Sequence, residues 1–203
     1  MNARPTCGKD TPRAEAQRER ILCAAQKCFI EHGFHAASMA NIADTAQMSQ
    51  GLLYRYFESK SAIVLAIVER QLQEGRAHVA EMHSSADLAA GILDTYTKWQ
   101  ARDPSVFSAA LLLEMSAEAT LDPQIAEALS SSDRRIFADL QSWMVRSRDE
   151  DGLGLPPDLA ARRVLLLECF VHGLAVIAAR QPDRDPAPLR EIIDTFVSRL
   201  LAP

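Results

Sequence analysis

The segment Ser38–Lys60, SMANIADTAQMSQGLLYRYFESK, decides the fold of this chain. Ser38 and Ser49 each precede a short run whose apolar residues recur at helical spacing, and serine is a favoured helix N-cap. Only Gln47 and Met48 lie between the two predicted helices. Two short helices joined by so tight a turn predict a helix-turn-helix motif, in which the second helix enters the major groove of DNA.

The composition is that of a globular protein. The 203 residues are 48% hydrophobic, 24% charged and 6% aromatic. No run approaches the roughly 18 consecutive apolar residues that span a bilayer. The first residues, MNARPTCGKDTPR, lack the apolar segment of a secretory signal. We therefore expect a cytoplasmic protein without a membrane partner.

The charge is distributed unevenly along the chain. The net charge is −5, yet residues 1–60 carry eight Lys/Arg against six Asp/Glu, whereas the remaining residues carry fourteen against twenty-one. A mildly basic N-terminal part and an acidic remainder suit a protein that presents one end to a polyanion.

Helix start and stop signals recur along the whole chain, and no segment shows convincing strand alternation. The sequence therefore predicts an all-α fold of about nine helices, with an N-terminal three-helix unit and a larger C-terminal helical domain. The predicted helices run from Thr11-Pro12 to Gly33, from Ser38, from Ser49, from Ser59 to about Ala80, from Ser85 to about Ala101, from Asp103-Pro104 through Met115, from about 124 to 147, from Pro157-Asp158 to about Arg180, and from the segment QPDRDPAP through Leu200.

One segment carries a set of residues in the order of a known family. FIEHGFHAASMANIADTAQMSQGLLYRYFESKSAIVLAIVER contains Gly33-Phe34, Ser38, Ile42-Ala43, Ser49, Gly51, Leu53-Tyr54, Tyr56-Phe57 and Ser59-Lys60. It resembles the DNA-binding domain of the tetracycline-repressor (TetR) family over about the first 70 residues. The resemblance implies a homodimeric repressor with a flexible tail (1–12), a DNA-binding domain (13–58) and a ligand-binding and dimerisation domain (59–203). A small-molecule effector in the larger domain would change the spacing of the two DNA-reading heads and release a pseudo-palindromic operator.

Eight residues are predicted to contact the double-stranded operator: Ser38, Ser49, Gln50, Gly51, Leu52, Tyr54, Arg55 and Lys60. Helices disfavour glycine by about 1 kcal/mol relative to alanine, but a residue without a side chain at Gly51 lets the backbone approach DNA closely. The Ser49 hydroxyl and the free N–H groups of the helix start can meet phosphate, and the Gln50 amide can reach base edges. The resemblance implies phosphate contacts for Tyr54, Arg55 and Lys60.

Two residues depart from the family pattern. Gln47 replaces the glycine common in the turn, so it must adopt a left-handed conformation, at roughly 1 kcal/mol, or shift the turn. Gln50 is neutral where lysine is common, so more of the sequence-independent attraction must come from Arg55, Lys60 and the tail residues Arg4, Lys9 and Arg13.

The penultimate helix, LAARRVLLLECFVHGLAVIAAR, is apolar on nearly all sides. One predicted stripe contains Ala161, Leu165, Glu168, His172, Ala175 and Ala179, and a second contains Leu166, Phe170, Leu174 and Ile177. Such a helix must be buried on both faces, and a second copy can cover the face that the chain's own core does not. This predicts a homodimer that buries the penultimate helix, and the resemblance implies a homodimer through the last two helices.

We expect a small, largely apolar or aromatic effector between the middle helices. Its predicted contacts are Tyr96, Trp99, Phe107, Leu111, Glu114, Met115, Glu118, Trp143, Glu168 and His172. Phe107, Leu111, Glu114 and Glu118 fall within about a 60° arc of one helix. Two interpretations stay open: the carboxylates are buried and favour a cationic effector, or they face solvent or arginine and leave a neutral pocket.

Three alternatives stay open beside a ligand-controlled repressor. Glu114, Glu118, Glu168 and His172 could serve a helical metal-dependent enzyme, although one helix supplies only the last pair. Cys23 or Cys28 could sense oxidants, but five residues apart on one helix they point in different directions. Cys7, Cys23, Cys28 and Cys169 show no CxxC pair or metal-ligand spacing, so the sequence predicts no cofactor. The third alternative is a constitutive regulator without an effector.

Overall fold

A computed structural model of the protein describes residues 12–103 and 105–202. Within these ranges the chain forms nine α-helices, one short 3-10 helix and no strand. The helices are α1 (Pro12–Ala36), α2 (Met39–Thr45), α3 (Gln50–Tyr54), α4 (Lys60–Ala80), α5 (Ser85–Gln100), α6 (Ala109–Glu118), α7 (Pro123–Val145), α8 (Pro157–Arg180) and α9 (Ala187–Leu200), with the 3-10 turn at Arg148–Glu150. The predicted all-α fold is confirmed.

Several sequence predictions fall outside the described residues. They concern the tail residues Arg4 and Lys9, the helix start at Thr11, the thiol of Cys7, and Pro104. Arg13, which was grouped with the tail, lies instead in the first turn of α1 and is exposed.

Serine side chains fix the starts of α2, α3 and α4. The Ser38 hydroxyl accepts the backbone N–H of Asn41 at 3.1 Å, and the Asn41 side chain accepts the Ser38 N–H in return. Ser49 and Ser59 make the equivalent bond to the backbone N–H three residues on, at 3.3 and 3.1 Å. Each bond satisfies a donor that the first helical turn leaves free, so the caps read from the sequence are the caps of the structure.

Residues 12–68, from α1 to the first half of α4, form a unit that we call the head. Its buried core contains Ile21, Leu22, Ala25, Cys28, Phe29, Phe34, Ile42, Ala43, Leu53, Phe57, Ile63, Val64, Ile67 and Val68. Leu111 and Met115 from α6, with Ile125 from α7, are buried in the same cluster. The head is therefore packed directly on α6 of the remaining residues, 69–202, which we call the body.

The helical geometry of α1 is interrupted at Gly33, where φ is +77° and ψ is 164°. The sequence predicts that the helix stops here, but a further helical stretch to Ala36 follows the break. Positive φ suits glycine because it has no Cβ atom. Phe34 is buried, and its ring centroid lies 5.7 Å from that of Phe29.

The start of α6 is the clearest error in the predicted helix boundaries. The sequence predicts a helix from Asp103-Pro104, whereas α6 begins at Ala109, with the Ser108 hydroxyl accepting the Leu111 N–H at 3.1 Å. The preceding backbone is held from outside: Gln26 donates to the Val106 carbonyl at 2.9 Å, and the Phe107 N–H donates to Gln71 at 3.0 Å. Side chains of α1 and α4 thus form the hydrogen bonds that these backbone groups would otherwise make within a helix.

The body packs α5, α7, α8 and α9 around a second apolar core. Tyr96 and Trp143 are fully buried in it, and the Trp143 indole N–H donates to the Asp151 carbonyl at 3.1 Å. The long helix α4 leaves the head and packs along α7, so it connects the two units. In the described ranges no helix is both long and apolar enough to cross a membrane.

Candidate nucleic-acid interface and internal cavity

One face of α3 is buried and the opposite face is open to solvent. Leu53 is fully buried in the head core, while Ser49, Gln50, Gly51 and Arg55 are exposed and Leu52 is half-buried. Tyr54 is 52% exposed, which is unusual for a large aromatic residue. The exposed residues of α3 are those that the sequence predicts to contact DNA.

Gly51 has no packing reason to be glycine. A Cβ atom built at this position meets no atom of the chain within 4 Å, and the backbone of Gly51 does not have positive φ. Alanine would favour the helix by about 1 kcal/mol. The glycine therefore points to a requirement outside the chain, such as the close approach of another molecule.

In the turn between α2 and α3, Gln47 has the left-handed backbone conformation, which is one of the two alternatives predicted from the sequence. Gln47 has φ of 52°, a region that residues other than glycine seldom occupy. The Arg20 guanidinium of α1 donates to the Gln47 carbonyl at 3.2 Å, and the Met48 N–H donates to the Ala43 carbonyl at 3.0 Å. These bonds support the strained residue and fix α3 on α2. Arg20 was not singled out in the sequence because its partner is a backbone atom 27 residues away.

Lys60 does not occupy the phosphate-facing position that the resemblance implies. Its ammonium donates to the carbonyls of Phe34, His35 and Ala37 at 2.5, 3.2 and 2.9 Å, and it lies 4.3 Å from the centroid of the Phe34 ring. An ammonium has three N–H donors, and these three acceptors use them all. Lys60 therefore closes the C-terminal end of α1. Burial lowers the pKa of Lys60, whereas the nearby carboxylates of Glu118 and Glu114 act to raise it.

Glu114 and Glu118 belong to the joint between head and body, not to an effector pocket. Glu114 accepts the Phe34 backbone N–H at 2.5 Å, and a Glu118 oxygen lies 3.4 Å from the His35 Nε2. The predicted stripe of Phe107, Leu111, Glu114 and Glu118 lies only partly on α6, because Phe107 precedes the helix, and its apolar residues face the head core. The prediction that this side of α6 faces an effector was wrong, because helical spacing shows which residues share a side of the helix but not which part of the protein packs against that side. The Phe34 N–H of α1 and the Lys60 ammonium of α4 interact with these carboxylates, so their position does not call for a cationic effector.

The body contains a partly open cavity of about 290 Å³, which we call the inner cavity. Its walls come from five helices, α4 to α8, and are mostly apolar. They include Val79, Met82, Leu88, Ile92, Trp99, Leu112, Ile136, Phe137, Leu140, Leu167, Val171 and Leu174, with His78, Thr95, Asp133 and His172 as polar groups. This volume is at the small end of ordinary ligand pockets.

Only part of the predicted effector site lines this cavity. Trp99 and His172 do so, and Glu168 lies with His172 in an adjoining open groove between α6, α7 and α8. The other predicted residues lie elsewhere: Tyr96 and Trp143 are buried in the body core, Leu111 and Met115 are buried in the head core, and Phe107 packs against that core. The large aromatic residues are therefore chiefly packing residues.

The inner cavity and the open groove adjoin at a shared part of their walls, which we call the neck. Leu112, Asp133, Phe137 and His172 line both spaces. Burial raises the pKa of the Asp133 carboxyl; His172 opposes this shift and Glu168 adds to it. Asp133 was missed in the sequence because it is an isolated aspartate in a polar stretch of α7, SSSDRR, without a motif.

The outer surface of α8 and α9 leaves large apolar residues uncovered. Leu165 and Leu166 are 59% and 55% exposed, and Ile192 on α9 is 50% exposed. The buried residues of α8 are Ala160, Val164, Leu167, Leu174, Ala175 and Ala178, so neither of the two predicted stripes is a single face. A Cβ atom at Gly173, also on the outer surface, meets nothing within 4 Å.

The cysteines of the described residues are not arranged as redox or metal sites. Cys28 is buried with its sulfur 3.2 Å from the Thr45 hydroxyl, whereas Cys169 is exposed on α8. Burial and a hydrogen bond to Glu19 raise the pKa of Cys23, which disfavours the reactive thiolate. Among the residues of known placement, no cluster of three or more His, Cys, Asp or Glu could hold a metal ion.

Two family models match the chain in sequence. The model described as bacterial regulatory proteins, tetR family, matches residues 21–67, which span most of the head. The model described as BetI-type transcriptional repressor, C-terminal, matches residues 85–202. Together they cover both units of the structure.

Individual relatives agree with the family models. The HTH-type transcriptional regulator UidR of Escherichia coli K12 is 33% identical over 186 residues, which cover 87% of this chain and 90% of UidR. GusR of Salmonella enterica matches in structure with a TM-score of 0.72 and 27% identity, over 96% of this chain and 99% of GusR. A transcriptional regulator from Rhodococcus sp. Rha1 has a TM-score of 0.70 at 22% identity, over 91% and 95% of the two chains, and shares the fold.

Proposed function

The chain belongs to the tetR family of bacterial regulatory proteins, and we propose that it is a homodimeric repressor that releases its operator when a small molecule enters the body. The relatives are transcriptional regulators, so they lend no support to a metal-dependent enzyme. Glu114 and Glu118 also lie at the head, apart from Glu168 and His172 in the groove. The proposed division is a tail (1–12), a DNA-binding domain (13–58) and an effector and dimerisation domain (59–203).

The observation that carries the DNA-binding role is the exposed face of α3 with an unexplained glycine at its start. Gly51 lets the helix backbone approach the duplex, and Gln50 beside it reads base edges, with adenine its usual partner. Ser49, Tyr54 and Arg55 contact the phosphates around the groove, while Ser38 and Leu52 complete the surface.

Random-site selection tests this role. A dimer with one reading helix per chain should select a pseudo-palindromic duplex whose half-sites are about one or more helical turns apart. A selected site without two-fold symmetry would contradict the proposed dimer on DNA.

The uncovered apolar surface of α8 and α9 supports dimerisation through these two helices. Leu165, Cys169, Gly173 and Val176 are exposed and fall, with Leu166, within about a 100° arc of α8. Exposed apolar groups at this density mark an interaction surface, and Gly173 allows the backbone of a second helix to come close. Because the same surface exists on each copy, a two-fold interface can cover both at once.

The proposed route from effector to DNA runs through α6 and α4. Leu112 of α6 lines the neck of the cavity, whereas Leu111 and Met115 on the same helix are buried in the head core. Glu114 additionally holds the end of α1 by the Phe34 N–H. A ligand that displaces α6 would therefore shift the head and change the separation of the two α3 helices in the dimer.

Release is tested with the selected operator duplex and a panel of metabolites and drugs, first ranked by thermal shift. A compound that binds the folded protein raises its melting temperature by mass action. The proposal expects at least one such compound to lower operator affinity. If stabilising compounds leave operator binding unchanged, the protein is a regulator without effector control.

A further inference from the structure

The inner cavity contains one carboxylate and no permanent cation. Among the described residues that line the cavity, Asp133 is the only acidic residue, and none is a lysine or an arginine. Its remaining polar residues are His78, Thr95 and His172. A charged group beside an apolar space is unfavourable without a partner of opposite charge.

Asp133 has no hydrogen bond or ion pair with any described residue, and the arginines beside it in sequence are engaged elsewhere. Arg134 donates to Glu127 at 2.8 Å, and Arg135 lies 3.9 Å from a Glu69 oxygen. The unpaired carboxylate stands at the neck, where it faces both the cavity and the groove.

Of the described residues that line the cavity or the groove, Arg134 is the one permanent cation, and its guanidinium donates to Ser130 and Glu127. On α8, Glu168 is a second carboxylate, and the His172 Nδ1 is 2.9 Å from the Glu168 carbonyl of its own helix. On α4 the facing titratable group is His78, and the lining residues of α5 and α6 carry no charge. Burial raises the pKa of Asp133 and Glu168 adds to the rise, whereas His172 opposes it only in part.

Building on the proposed effector site, we propose that the effector is an amphiphilic cation whose apolar body fills the inner cavity and whose ammonium group lies at the neck against Asp133. The Glu168 carboxylate, in the groove, adds to the negative potential at the neck. The ammonium supplies the charge that the protein lacks there, so binding gains a charge-assisted hydrogen bond in a partly desolvated site. Anions are disfavoured by both carboxylates. This places cation recognition on α7 and α8, not at Glu114 and Glu118.

Three matched probes test the inference: 2-(2-naphthyl)ethylamine, 2-(2-naphthyl)ethanol and 2-naphthylacetate. Their affinities are measured by calorimetry on the full-length protein without DNA. We expect the amine to bind wild type at least about tenfold more tightly than the alcohol, since hydrogen bonds to charged groups are the stronger class. The acetate should bind most weakly. In Asp133→Asn the ratio of amine to alcohol affinity should fall to within about threefold while the alcohol binds as before.

Asp139→Asn is the control because it makes the same change on the same helix outside the cavity, where Asp139 pairs with Arg76 at 2.6 Å. It should keep the preference for the amine. Equal affinities of amine and alcohol in wild type, no binding of the amine, or a preference that survives Asp133→Asn would each overturn the inference.

Operator release is measured in parallel, so that the two proposals fail separately. If the amine is preferred but neither it nor any other stabilising compound of the panel releases the operator, amine recognition stands and effector control fails. If amine and alcohol bind equally and both release it, effector control stands and the cation inference fails.

Discussion

Replacing Gly51 by alanine should strengthen the fold and weaken DNA binding at the same time. The added methyl group meets no atom of the protein, and alanine favours the helix by up to about 1 kcal/mol. For a chain of this size that corresponds to a rise in melting temperature of about 2–4 °C. On DNA the methyl group stands between α3 and the duplex, and inserting a methyl into a close contact costs typically about 1–3 kcal/mol. Operator affinity should therefore fall about fivefold to more than a hundredfold.

Thermal unfolding and fluorescence anisotropy with the selected operator measure the two effects separately. The rise in stability is an internal control, because it excludes misfolding as the cause of weaker binding. Unchanged operator affinity would show that Gly51 does not face the duplex. A loss of both stability and affinity would show that the glycine serves the fold, which contradicts the open space around it.

Substitutions at five further positions test the remaining roles. Gln50→Ala should lower the selectivity between cognate and altered operator by about tenfold or more, measured by competition. Arg55→Ala should lower the affinity for all DNA sequences alike and reduce the slope of log affinity against log salt concentration by about one, measured by salt titration. Glu114→Ala should lower the free energy of unfolding by about 1–3 kcal/mol in urea because it leaves the Phe34 N–H without its acceptor, and Glu114→Gln, which keeps an acceptor, should lower it less. Leu165→Glu should raise the dimer dissociation constant in analytical ultracentrifugation while leaving a folded monomer, since the residue is 59% exposed within one chain; an unchanged dimer would move the interface elsewhere. Asp133→Asn should raise the melting temperature of the free protein at pH 7, because the pKa of Asp133 is higher in the folded than in the unfolded state and its ionisation therefore opposes folding. This gain should vanish as the pH falls below the ordinary aspartate pKa, where the carboxyl is protonated in both states. A gain that is independent of pH would contradict this cause.

The sequence predicted what depends on neighbouring residues. The caps at Ser38, Ser49 and Ser59 were recognised because each side chain bonds a backbone N–H three residues on. The left-handed conformation of Gln47 was one of two expectations, because the resemblance places glycine at this position of the turn. Helical spacing predicted the buried Leu53, whereas the resemblance supplied the exposed Tyr54 and Arg55.

The errors concern contacts between segments distant in sequence. Glu114 shares a helix face with apolar residues, but only the packed chain shows that α1, 80 residues earlier, covers it. The same holds for Lys60, whose partners are carbonyls at the end of α1, and for the start of α6, which Gln26 and Gln71 displace. Asp133 acquires meaning only from the cavity beside it.

Photo-crosslinking most directly tests whether α3 reads the operator. A photoreactive side chain is placed at Gln50 and, as a control, at Leu121, which is 80% exposed on the loop between α6 and α7. On the selected duplex, position 50 should crosslink to bases at equivalent positions of the two half-sites, and position 121 should not crosslink. A variant that still binds the operator but crosslinks no base from position 50, or does so equally from position 121, would contradict the assignment of α3 as the reading helix.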